Sequence, residues 1–139
     1  MADIFQEFLS LSHAQRVERG RVSAGFLLSQ LEKEGFSDED QLIVLASLAR
    51  FFVSADRSCD EGEYKLFIDI TGASLSRQEF FNLTNNGMQR DFVEKLLGFV
   101  HTLGEDGKTA AAIFGLAVCS ADGEIHENEK AAVAAIYNA

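Results

Sequence analysis

Two stretches of the chain, QLIVLASLARFFVSAD (residues 41–56) and TAAAIFGLAVCSAD (residues 109–122), are apolar nearly all the way round a helix, and both end in Ser-Ala-Asp. A helix without a polar face must be surrounded by other elements. Two such segments in a chain of 139 residues therefore predict a helical bundle built around buried central helices. No stretch alternates like a strand. The chain has no proline, which suits helices joined by glycine and Asx turns.

Shorter amphipathic segments complete the bundle. Ile4, Phe5, Phe8 and Leu9 mark a first piece. A second is predicted from about His13 to Glu34, with Val22, Phe26 and Leu31 broadly on one side and Gly35 as its stop. Ser37 is an N-cap for the first apolar helix, with Asp38, Glu39 and Asp40 in the first turn, where the helix dipole favours acids. Another helix runs from near Asp60 to about Thr71 and ends at Gly72. Ser76 and Glu79 have capping-box spacing for a short helix over RQEFFNLT, and Asn85-Asn86-Gly87 reads as a turn. MQRDFVEKLLGFVHTL is stopped by Gly104, Asp106-Gly107 leads into the second apolar helix, and a last helix covers about His126 to Tyr137. The expectation is one all-α domain over residues 1–139, a bundle of seven to eight helices with short, mostly antiparallel connections.

The net charge of −10 speaks against nucleic acid, whose phosphates need a cationic face, and against an anionic membrane surface. The apolar runs fall short of the ~20 residues that span a bilayer. Asp3 and Glu7 stand where a secretory signal would carry bases, so the cytosol is the expected compartment. Cys59 and Cys119 form no CxxC pattern and are expected reduced.

The two apolar helices lead into a repeat. SADRSCDEGEYKLFIDI (residues 54–70) aligns without a gap on SADGEIHENEKAAVAAI (residues 120–136) at a constant offset of 66, with six of 17 positions identical. Chance gives roughly one identity. The identities are Ser54/Ser120, Ala55/Ala121, Asp56/Asp122, Glu61/Glu127, Glu63/Glu129 and Ile70/Ile136. Only two copies exist at too long a period for a solenoid, which favours a duplicated helix–turn–helix with units of about 38–71 and 106–137 related by a pseudo-twofold axis.

Three of the matched positions are acids. Asp56 and Asp122 continue apolar stripes at the C-terminal ends of their helices, the pole that disfavours an anion. Glu63 and Glu129 begin the inward stripes of the following helices. Residues 54–63 carry a net −3 and residues 120–129 a net −4, together −7 of the chain's −10. If the two corners face each other, a cation between them relieves the repulsion. Carboxylate donors suit calcium, magnesium or manganese ahead of zinc, which would need His126. Asp56, Glu63, Asp122 and Glu129 are the candidate metal ligands, with Asp60, Glu124, His126 and Glu127 as secondary ones.

A plainer reading stays open. An aspartate in an Asp-Gly turn accepts backbone N–H groups, and Glu63 and Glu129 fall at the N3 position of a capping box. On that reading the protein is a metal-free helical adaptor whose acidic face binds a basic protein partner. The EF-hand pattern fails in both copies, because it needs Gly at loop position 6 and Glu at position 12. The chain has Glu61 and Phe67 there in one copy and Glu127 and Val133 in the other. No nucleophile motif or phosphate-cradling loop appears, and His13 and His101 stand alone. The expectation is no enzyme, with a metal-dependent hydrolase on the acidic cluster as the one residual catalytic reading.

Ala121-Asp122-Gly123-Glu124-Ile125 followed by Glu129, after an alanine-rich buried helix, resembles the TerB-like family of tellurite-resistance proteins, as does the weaker copy Ala55-Asp56 with Glu63. The resemblance covers about residues 38–139. It implies an all-α, pseudo-symmetric bundle whose acidic inner surface takes divalent metal, and a non-catalytic role in tellurite or general stress responses through a protein partner. By motif, Asp56, Glu63, Asp122 and Glu129 carry over. Arg57 and Ser58 depart from the pattern in the first copy, where the second has Gly123 and Glu124.

Overall fold

The computed structural model describes residues 4–52, 61–86, 90–119 and 127–137, with the backbone alone at 4, 5, 9, 83–86, 90–95, 119, 127 and 128. Among these residues there are eight helices and no strand: α1 (Ile4–Leu9), α2 (His13–Lys33), α3 (Asp38–Phe51), α4 (Glu61–Thr71), α5 (Arg77–Asn86), α6 (Arg90–Thr102), α7 (Gly104–Cys119) and α8 (Glu127–Tyr137). The all-α bundle expected from the sequence is what forms.

Local chemistry accounts for most boundaries. The Ser37 hydroxyl accepts from the Asp40 N–H (3.2 Å) and opens α3. Gly35 takes φ 85°, and the Phe36 N–H reaches back to the Leu31 carbonyl (3.0 Å), the Schellman closure that only a residue comfortable at positive φ allows. Ser76 and Glu79 form the expected reciprocal box at the head of α5: the Glu79 N–H donates to Ser76 Oγ (3.1 Å) and the Ser76 N–H to Glu79 Oε1 (3.0 Å). Two boundaries differ from the expectation. Asn85 and Asn86 belong to α5 rather than to a turn, and α7 begins at Gly104, so Asp106-Gly107 lies inside its first turns. Glu105 and Asp106 are thereby placed where the helix dipole favours them.

The bonds at Ser76 hold the Glu79 carboxyl below the ordinary carboxylate range. A depressed folded-state pKa adds stability that is complete above the unfolded value, about 4.3 for Glu, and fades as the pH falls through the folded one. Ser76→Ala is expected to cost about 1 kcal/mol at neutral pH through the lost cap. In urea titrations the gap between wild type and variant should narrow as the pH falls below about 4.3. A gap that widens in acid contradicts the assignment.

α7 is the axis of the bundle and packs on α2, α3, α4, α6 and α8. Its Ala110, Ala111, Ala112 and Ala117 are buried, and small side chains let neighbouring helices come close. At Gly115 an added Cβ would stand 2.2 Å from the Phe52 ring, so this glycine sets the approach at that point. α2, the main partner of α7, buries Gly20, Ser23, Ala24, Leu27 and Leu31. The expected grouping of Val22, Phe26 and Leu31 is therefore wrong: Val22 is 73% exposed while Leu31 is fully buried. Nine residues at 100° each put those two on opposite sides of the helix. The signal that was misread is the small-residue face, which packs close without looking hydrophobic. Phe67 anchors the middle of the core, its ring 5.1 Å from Phe80 and 6.1 Å from Phe114.

α4 and α8 are each 11 residues long, and both their ends are 66 residues apart. Their buried positions coincide at the same spacing: Glu63, Leu66, Phe67 and Ile70 in α4, and Glu129, Ala132, Val133 and Ile136 in α8.

Candidate functional site

Glu63 and Glu129 are each 1% exposed, in the first turn of α4 and of α8. The sequence places them at the head of inward stripes, and the structure puts them there, each one turn before an apolar side chain of the core, Phe67 or Val133. The helix N-terminus is the pole that tolerates an anion, which offsets part of the desolvation cost. Neither residue is without a partner. Glu61, two residues before Glu63 and on another side of α4, is exposed and lies 3.6 Å from Arg77 Nη2 on α5.

The other candidate ligands lie outside the described residues. These are Asp56, Asp60, Asp122, Glu124 and His126. Glu127 opens α8, but its side chain is not described. Among the described residues no group of three or more His, Cys, Asp or Glu side chains converges. The two buried glutamates are carboxylate donors suited to a hard cation. A complete shell needs the acids of the two corners as well.

Sequence reasoning overlooked two buried bases. Arg50, in the last turn of α3, is 5% exposed, and Lys108, near the start of α7, is 8% exposed. Lys108 Nζ donates to the Tyr137 carbonyl at the C-terminus of α8 (3.4 Å), where the dipole favours a cation. The signal for Arg50 was present: a lone base in an otherwise apolar run must be paired or reach solvent. His101 is exposed, and His13 Nε2 lies 3.1 Å from Asp69 Oδ2 on an exposed surface.

Comparison with known proteins returns no match: no family model, no curated protein and no solved structure matches this chain. No helix among the described residues is long and apolar enough to cross a membrane.

Proposed function

We propose that the chain is a non-catalytic, divalent-cation-binding module of the TerB-like kind, working in the cytosol as a stress-response or sensor protein. Asp56, Glu63, Asp122 and Glu129 are its primary ligands, and calcium, magnesium or manganese its ion. One observation supports this above the rest. Two glutamates 66 residues apart, on helices with matching bounds, are both withdrawn from solvent at the head of a core-facing stripe. A single buried acid is ordinary cap chemistry, whereas two at equivalent positions of a duplicated unit argue for a shared task. The burial cost of each carboxylate asks for positive charge nearby. One bond of Lys108 goes to the far end of α8, eight residues or about 12 Å from Glu129 along the helix. Arg50 and Lys108 are the two buried bases among the described residues.

Thermal unfolding with EDTA and with each of calcium, magnesium, manganese and zinc tests the reading. A cation held by the folded state stabilises it by mass action, about 2.7 kcal/mol at a concentration about a hundredfold above Kd. Wild type should show that gain with a hard cation, and Asp56→Asn/Asp122→Asn should lose most of it. No response to any ion overturns the reading and leaves the metal-free adaptor in its place.

A further inference from the structure

A groove of about 410 Å³, half-open to solvent, runs between α3 and the start of α5. Its floor is Leu42, Ile43 and Leu75, all half-buried, and its edges are Glu39, Glu79 and Asn82, all exposed. Glu39, Leu42 and Ile43 are spaced i, i+3 and i+4, so α3 presents them as one stripe. Glu79 is held in place from the other side, since Oε1 accepts the Ser76 N–H at 3.0 Å. The groove is thus an apolar strip flanked by two carboxylates, and no base lines it among the described residues. Asp38 and Asp40 in the same first turn of α3 deepen the negative potential, on a chain of net charge −10.

We propose that this groove docks a basic amphipathic segment of another protein, whose apolar side chains cover Leu42, Ile43 and Leu75 while its Lys or Arg side chains meet Glu39 and Glu79. Charge complementarity selects the partner. An acidic segment is repelled at both edges, and a neutral apolar one leaves two carboxylates facing a drier surface with no counter-charge. The open side favours a polypeptide over a small ligand, because a small-molecule site normally encloses most of its guest. None of the candidate cation ligands lines the groove among the described residues, and the inference does not depend on cation binding by them.

Its test is titration of the ¹⁵N-labelled protein, in EDTA, with a synthetic amphipathic Leu/Lys peptide and with a Leu/Glu peptide of equal length. The Leu/Lys peptide should shift the amides of Ile43, Leu75 and Asn82, and the Leu/Glu peptide should not. E39Q/E79Q should weaken binding about fivefold, the scale of two exposed charge contacts. Gln at position 79 still accepts the Ser76 N–H, so the cap and the fold are retained. E32Q/E105Q removes the same charge from other exposed positions and should bind as wild type. Asp56→Asn/Asp122→Asn should also bind as wild type, which keeps this result distinct from the fate of the cation reading. Equal weakening in both Glu→Gln pairs, shifts mapping elsewhere, or no binding would overturn the assignment. Octylamine shifting the same amides more strongly than the peptide at equal concentration would overturn it too, by making the groove a small-cation pocket.

Discussion

Phe67→Ala should cost about 3–5 kcal/mol. Phe67 is fully buried and sits where three helices meet, its ring in contact with Phe80 of α5 and Phe114 of α7. Its removal forfeits the transfer energy of an aromatic ring, the two ring pairings and the packing around the void. The surrounding side chains cannot readily collapse into that void. Phe80 is itself fully buried and held by Tyr64 at 5.5 Å, and the Tyr64 hydroxyl is tied to the Leu75 carbonyl at 2.5 Å. For a chain of this length the loss corresponds to a fall in Tm of roughly 10–15 °C. Urea unfolding should show a lower midpoint at unchanged slope. Ile68→Ala, one residue on and only half-buried, is the control and should cost well under half as much. Comparable losses at the two positions would mean that Phe67 does not anchor the core. The site is tied to the same residue: Glu63 stands one turn before Phe67, so the packing that fixes α4 also fixes that carboxylate.

The sequence carries the fold because its signals are local and agree with one another. Ser37, Gly35 and the Ser76–Glu79 box each specify a boundary through backbone hydrogen bonds within a few residues, and each acts as expected. The failures occur where partners are distant in sequence. Val22 looks like a core residue by type, but the face of α2 that reaches α7 is Gly20, Ser23 and Ala24, selected by how closely two helices can approach. Of the candidate site, the inward placement of Glu63 and Glu129 was legible because apolar periodicity continues through them. What Arg50 pairs with was not, because partners of a buried base are chosen by proximity in space, on which helical periodicity is silent.

Arg50→Leu is the second large effect expected, about 3–5 kcal/mol, even though the residue 66 positions on, Leu116, is the one that the substitution installs. Leu116 is fully buried, so the site in α7 accepts an apolar side chain, and shape alone predicts little penalty for the same change in α3. The cost comes from electrostatics. Arg50, Glu63 and Glu129 are all nearly solvent-free and all engaged in interactions. Taking away one member of a buried charge set leaves its partner desolvated and uncompensated, which is far worse than replacing both. Double-mutant cycles of Arg50→Leu with Glu63→Gln and with Glu129→Gln identify that partner. The true pair should recover at least about 1 kcal/mol relative to additivity, and the other pair should add. Additivity in both cycles would exclude Arg50 as the internal cation for these acids. The same variant relates this device to the proposed ion. A guanidinium and a divalent cation serving one set of carboxylates compete, so Arg50→Leu should be stabilised by added manganese or calcium more than wild type is. An equal response in the two proteins would place the ion and the arginine on separate acids, and would make Arg50 a fixed part of the core instead of a built-in substitute for the metal.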